Sequence, residues 1–278
     1  MGALHPVRPW RYLWLHMLLI LGGVITLLPF LWMIATSLKG ASEVFSATPT
    51  FLPKAWRWEN YREVFARAPF ARFYWNTFVV TCARVVGQIL LCSMGGYAFA
   101  RLRFPGRDPL FLATLAVLML PEHVTLVPRY VLLKYLGWLD TYQGLIVPSL
   151  FSALGTFLLR QFFMTLPQDL EDAAVLEGCN PFQVYWHVAL PLARATVFAF
   201  GLLVVLWSWN DFLWPLIVTS RTEMQVLSVG ISYFQGQYVT NFAVMMAAAT
   251  VATVPMLIVF IIVQRYLIEG ITMSGLKV

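Results

Sequence analysis

EDAAVLEGCNPFQVYWHVALP, residues 171–191, is the longest polar-containing passage between the hydrophobic runs of this chain, and it reads as two short helices joined at a hinge. Thr165 is placed to cap, Pro167 suits a first helical turn, and Asp169, Glu171 and Asp172 put negative charge where a helix N-terminus favours it. The spacing therefore predicts a helix over 167–177. Gly178 ends it, and Asn180-Pro181 repeats the start signal at once, cap followed by proline, for a second helix that runs until Leu190-Pro191 redirects the chain. Leu170, Ala173 and Ala174 share a face of the first helix. Small alanines let another surface approach the backbone closely, and at about 1.5 Å per residue the element spans roughly 16 Å, the size of a plug for a surface groove. On capping alone the stretch reads as an ordinary helical hairpin loop.

Around it, 60% of the 278 residues are hydrophobic and 12% charged, with a mean hydropathy of +0.73. That exceeds what a water-soluble domain buries, so the chain reads as an all-α integral membrane protein. Several runs exceed the roughly 18 apolar residues that span a bilayer as a helix, and none alternates like a lipid-facing barrel strand. The formal charge of +6 follows from basic residues at membrane boundaries, and no basic stripe with interleaved aromatics points to nucleic acid. Cys82 and Cys92 share one apolar run and Cys179 lies in the polar loop, a distribution that builds neither a metal site nor a disulfide framework.

About six spans are expected. A tail (1–12) with Arg8 and Arg11 precedes an apolar run at 13–35, whose length and whose Trp14 and Trp32 near its two ends mark a retained helix; the small residues at 35–37 also allow a cleaved signal peptide. The loop 36–73 carries Pro49, Pro53 and Pro69 and an amphipathic segment, WRWENYREVF, suited to the membrane surface. A second span at 74–100 offers Gly87, Gly95 and Gly96 for close helix contacts and contains Arg84, a costly charge that must pair, face an aqueous cavity or snorkel. Arg101, Arg103 and Arg107 crowd the next turn, a cytoplasmic mark. A third span starts near Pro109, with Pro121 and Pro128 bracketing Glu122 and His123, either a gate or a kinked helix end.

The fourth span, 145–163, holds Pro148, Ser149 and Ser152. The fifth, 197–218, contains WSWNDFLWPL, where Trp207, Asn210, Asp211 and Trp214 fall near one another on successive turns. Aromatic faces beside hydrogen-bonding groups suit a sugar, and they suit interfacial anchoring or bonds between helices as well. Ser149, Ser152, Asn210, Asp211 and Trp214 are the substrate-pathway candidates. Residues 220–241 read as a polar loop, either solvated or reaching a partner above the membrane. A last span at 242–262 closes the core (74–266), and 267–278 form a tail.

The spacing inside the opening stretch goes further than its caps. Asp172-Ala173-Ala174, three residues, Gly178, nine residues, Val188, one residue and Leu190-Pro191 closely resemble the E-A-A, three, G, nine, I, one, L-P signature of ABC importer permeases, with Asp172 for the usual Glu and Val188 for the usual Ile. PFLWMIATSLKG at 29–40, WENYREVF, NTFVV, RQFFMTLP and the tail with Gln264-Arg265-Tyr266 and Gly270 are similar to MalG-like permeases of carbohydrate importers, glycerol-phosphate importers among them; the ending Leu276-Lys277-Val278 departs from the family's small residues. The resemblance implies the six-helix fold of type I importer permeases, with 165–191 as the cytoplasmic coupling loop that docks in a cleft of an ATPase. Glu171, Asp172, Ala173, Ala174, Gly178, Val188, Leu190 and Pro191 would form that docking element, with Gly178 as its hinge.

By the same resemblance the partners are a second, MalF-like permease subunit, two ABC ATPase subunits and an extracytoplasmic solute-binding protein, in the cytoplasmic membrane. The chain has no G-x-x-x-x-G-K-[ST] phosphate loop, so ATP and magnesium belong to the partner ATPase, and no cofactor or metal is expected on this chain. The rival class is an intramembrane enzyme. His5, His16, His123 and His187 are scattered, no H-E-x-x-H or G-x-S-x-G occurs, and the acids do not pair for acid–base work, so no catalytic residue is assigned. Lys and Arg divide nearly evenly between the two sides of the expected topology, so their density at 101–107 orients the chain rather than their total.

Overall fold

The computed structural model describes residues 12–46, 48, 50–235 and 241–274, with side chains through Gln264. Arg8, Arg11, Gly236 and the ends of both tails lie outside these residues. Among the described residues every regular element is helical. Three helices are long and apolar enough to cross a membrane alone: Leu13–Ser37, Phe70–Arg101 and Phe242–Gln264. Three further pairs pass only together, each bent at a short break: Arg107–Met119 with Glu122–Tyr135 at 102°, Tyr142–Ser149 with Ala153–Thr165 at 43°, and Pro181–Leu192 with Arg194–Asn210 at 79°. The apolar segments number up to six as expected, but half are broken.

Each break has a local cause. Leu120 and Pro121 are extended (ψ 122° and 131°), because proline removes a backbone donor and disfavours helix in the residue before it. Pro128, by contrast, sits inside the Glu122–Tyr135 helix without ending it. In the second pair Ser152 caps a fresh helix, its Oγ accepting from the Gly155 amide at 3.1 Å. In the third, Pro191 lies in the last turn before Ala193, and the five residues Tyr185–Ala189 upstream form a π turn.

The chain divides into two compact units. In the first, residues 1–68 with 231–254, the end of the Leu13–Ser37 helix is stitched to Glu59–Arg67. Buried Asn60 donates through Nδ2 to the carbonyls of Ser37 (2.8 Å) and Lys39 (2.9 Å), and the Tyr61 and Ser37 hydroxyls meet at 2.7 Å. The amphipathic segment thus exists as a helix, with Asn60 and Val64 buried and Trp56 and Trp58 exposed.

The second unit, 69–230 with 255–278, is built on Phe70–Arg101. This helix starts at Phe70, in the stretch assigned to the preceding loop, because Pro69 initiates it. At roughly 48 Å it outreaches the hydrocarbon core. In lipid, packing rather than water exclusion holds helices together, and close approach needs small residues. Gly96 supplies one: a Cβ there would lie 2.9 Å from the backbone nitrogen of Arg160. Gly155 seats the ring of Phe200 in the same way.

Two expectations are corrected here. The fifth segment is not helical to Val218: it ends at Asn210, and a separate short helix, Leu213–Val218, follows. Nor is the whole of the 220–241 region a solvated loop: its first residues are largely exposed, but 225–230 turns inward. Val226, Leu227 and Val229 are buried, and Gly230 lies so close to the Phe73 ring that a Cβ would meet it at 2.2 Å.

A candidate substrate cavity and a candidate docking segment

A cavity of about 840 Å³ opens within the second unit, walled by Phe70–Arg101, both halves of the Arg107–Tyr135 pair, the break at 148–152 and the end of Arg194–Asn210. It lies where helices are interrupted, which is where backbone polar groups and side chains become available to a solute.

Four of the five candidates line it: Ser149, Ser152, Asn210 and Asp211. Trp214 does not. Because the helix breaks at Asp211, its ring turns into the neighbouring core with Val80, Leu133 and Leu145, and its Nε1 donates to the Gly144 carbonyl at 3.1 Å. The Arg129 guanidinium lies 4.3 Å over that ring and reaches the cavity from there. Among the others, Ser152 is occupied as a helix cap and Asn210 donates to the Leu206 carbonyl at 2.8 Å, which leaves its Oδ1 as the remaining acceptor.

Arg84 and Asp211 form an ion pair in the wall, Nη1 to Oδ2 at 2.7 Å. Nε and Nη2 of Arg84 both donate to the Leu145 carbonyl, at 3.1 and 2.7 Å. Arg84 is almost fully buried and Asp211 partly so. One guanidinium thereby joins the long helix to the short Tyr142–Ile146 helix and to the break at Asp211. A looser pair faces it, Arg129 with Glu122 at 3.5 Å. Gln88, which the sequence reading passed over, is 9% exposed in the wall; its Nε2 donates to the Ser149 carbonyl at 2.6 Å. Its signal was available as a lone amide in an apolar run.

At the far end of the unit, 168–191 takes the two-helix form expected. Gln168–Leu176 is followed by Gly178 at φ 91°, and the Gly178 and Cys179 amides bond back to the carbonyls of Val175 (2.9 Å) and Ala174 (3.0 Å). These are the paired bonds of a glycine-terminated helix, and the positive φ rather than crowding demands glycine, since a Cβ there meets nothing within 4 Å. Asn180 and Gln183 cap the next helix reciprocally, at 2.9 and 2.8 Å. Thr165 does not cap: its hydroxyl is spent on the Phe162 carbonyl at 2.7 Å, and Pro167 occupies the cap position.

Ala174, Val184, Tyr185 and Ala189 are buried in one core with Tyr97, Leu159 and Phe163, and Val188 and Leu190 pack on it. Asp172, Ala173, Gly178 and Pro191 are exposed, as are the large apolar side chains of Leu170, Val175, Leu176, Phe182 and Trp186. Arg101 anchors the segment by donating to the carbonyls of Phe163 (3.0 Å) and Leu166. Its Nε also lies 3.1 Å from Glu171 Oε1, but that N–H is already given to Phe163, so Oε1 has a charge partner and no donor. Burial accordingly pushes the Glu171 carboxyl above its ordinary value; the Arg101 charge pulls the other way and Asp172 adds to the rise. Among the described residues no cluster of His, Cys, Asp and Glu fits a metal ion.

Comparison with known proteins places this architecture. The family of binding-protein-dependent transport system inner membrane components matches residues 92–273. The sn-glycerol-3-phosphate transport system permease protein UgpE of Brucella suis is 33% identical over 273 residues, 95% of this chain and 97% of that one. The arabinooligosaccharides transport system permease protein AraQ of Halalkalibacterium halodurans is 33% identical over 259 residues, covering 91% and 92%. In fold the chain is similar to a chain of a bacterial ABC transporter involved in the import of the acidic polysaccharide alginate, with a TM-score of 0.81 at 22% identity, covering 95% and 99%. With its motif spacing, its broken apolar helices and full-length relatives at this identity, the chain belongs to the family of inner-membrane components of binding-protein-dependent transport systems.

Proposed function

We propose that this chain is one of two permease subunits of an ABC importer for a carbohydrate-type solute, a sugar, polyol or glycerol phosphate, in the cytoplasmic membrane. The solute would pass through the cavity of the second unit, delivered by an extracytoplasmic solute-binding protein. Two separate ATPase subunits would supply the energy by docking on 165–191. The observation that carries this reading is the exposed apolar surface of that segment.

Leu176 is 89% exposed and Val175, Phe182 and Trp186 are about half exposed, on a stretch whose capping, glycine terminus and Arg101 anchor hold it in one shape. A preorganised apolar patch suits a partner groove. Motion of such a partner would reach the cavity through packed helices, because Ala174, Tyr185 and Ala189 share a core with Phe200 and Val204, and Val204 also lines the cavity. Ala174 belongs to that internal core, so the docking face is carried by Ala173 and Leu176 instead.

Leu176→Asp tests this. Being exposed, it should leave the chain in the membrane at normal yield while reducing ATPase co-purification by about tenfold or more. Undiminished co-purification and uptake would overturn the docking assignment.

A further inference from the structure

The cavity's charges and its one unsatisfied amide bear on which solute it takes. We propose that it selects an uncharged polyhydroxylated solute, an oligosaccharide or polyol bearing neither phosphate nor carboxylate. The inference rests on the transport reading above and narrows it.

Four ionic side chains line the cavity, and they cancel: Arg84 with Asp211 at 2.7 Å and Arg129 with Glu122 at 3.5 Å. Arg84 commits Nε and Nη2 to the Leu145 carbonyl and Nη1 to Asp211, and the Arg129 guanidinium lies 4.3 Å over the Trp214 ring. A phosphate or uronate brings charge that must leave water. That is costly unless a cation stands uncompensated to receive it, and here each of the two arginines already has a carboxylate beside it.

Gln88 points the same way. Donation from Nε2 to the Ser149 carbonyl fixes the orientation of the amide, since a carbonyl accepts only from the NH2 end, and Oε1 is left buried with no donor. A solute hydroxyl supplies that donor, so the amide asks for a hydroxylated solute while the paired charges ask for an uncharged one. Asn210 Oδ1 is a second acceptor, and Trp207, 48% exposed in the wall, offers a flat face to the C–H side of a sugar ring. A space of about 840 Å³ also suits several sugar rings better than a three-carbon phosphate.

The test uses the complete importer in proteoliposomes, with its partner permease, ATPases and binding protein. Three radiolabelled probes are compared: an arabinotrisaccharide, a uronate trisaccharide and sn-glycerol 3-phosphate. Uptake of the first should exceed that of both anions by about tenfold or more. Glu122→Gln, at a side chain 77% exposed and so harmless to packing, leaves the lining one positive charge in excess. With the binding protein unchanged, it should narrow the gap by about threefold or more. Gln88→Leu should lower uptake of the neutral probe about tenfold at unchanged complex yield.

Uptake of either anion equal to that of the neutral probe, or no shift in either variant, overturns the proposal. ATP-dependent uptake confined to the anions overturns it while leaving the transport reading standing. Absence of ATP-dependent uptake for all three probes removes that reading, and the inference with it.

Discussion

Arg84 spends its guanidinium on two partners far away in sequence, the Leu145 carbonyl and Asp211. A charge in an apolar span announces that it needs a partner, so each member of the pair was visible alone; what joins them across 127 residues is tertiary, and no local pattern encodes it. Removing one member strands the other in a buried wall, at a cost of about 3–5 kcal/mol. Arg84→Ala and Asp211→Ala should therefore each lower the yield of folded complex severely. The exchanged double variant, Arg84→Asp with Asp211→Arg, should recover part of it. Size-exclusion yield in detergent measures this, and a double variant no better than the singles would mean that the pair contributes nothing specific. Trp214 shows the opposite failure of sequence reading. Helical spacing put it beside Asn210 and Asp211, but the helix stops there, and one missing turn sends the indole to Gly144.

Among elements, those whose boundaries are set by backbone chemistry were legible. Pro121 breaks its segment, Asn180-Pro181 starts a helix with a full set of reciprocal caps, and Gly178 ends one at φ 91°. Hydropathy alone could not tell a continuous span from a bent one, because a break of one to three residues scarcely changes an average over a window that long. The close helix contacts expected of Gly87, Gly95 and Gly96 also differ in degree. Gly96 faces the Arg160 backbone, which has no slack, whereas a Cβ on Gly95 would rest at an ordinary 3.6 Å from the Thr156 side chain. Gly96→Leu should thus force Phe70–Arg101 away from Ala153–Thr165 and cost about 1–3 kcal/mol, and Gly95→Ala should be nearly neutral. Thermal unfolding of the purified complex distinguishes the two, and equal midpoints would contradict the close approach.

On the scale of the molecule, the second unit has two chemically distinct ends. At one, Arg101 holds Glu171 beside the arginine-rich turn; at the other, the Asp140 carboxylate accepts from the amides of Ser220 and Arg221, at 2.6 and 2.7 Å. Basic residues counted over the whole chain do not orient it, but the turn at 101–107 and the proposed docking segment sit at the same end. That end should face the cytoplasm. With Cys82, Cys92 and Cys179 replaced by serine, Arg103→Cys should react with an impermeant thiol reagent only after the cells are opened, and Ser220→Cys in intact cells. The reverse labelling would invert the molecule and take the docking segment away from any ATPase.

The π turn at Tyr185–Ala189 carries one consequence for how the gene could change length. A π turn holds one residue more than the α-helix it interrupts and absorbs it as a bulge, leaving the faces on either side in register. The nine residues between Gly178 and Val188 therefore count that extra one. Losing a residue from a regular helix such as Arg194–Asn210 rotates everything beyond it by about 100°. Losing exposed Trp186 should only heal the bulge, keeping Val184 and Ala189 in the core. Membrane yields of the two single-residue deletions, Trp186 against Val197, would register the difference, and equal losses would deny it.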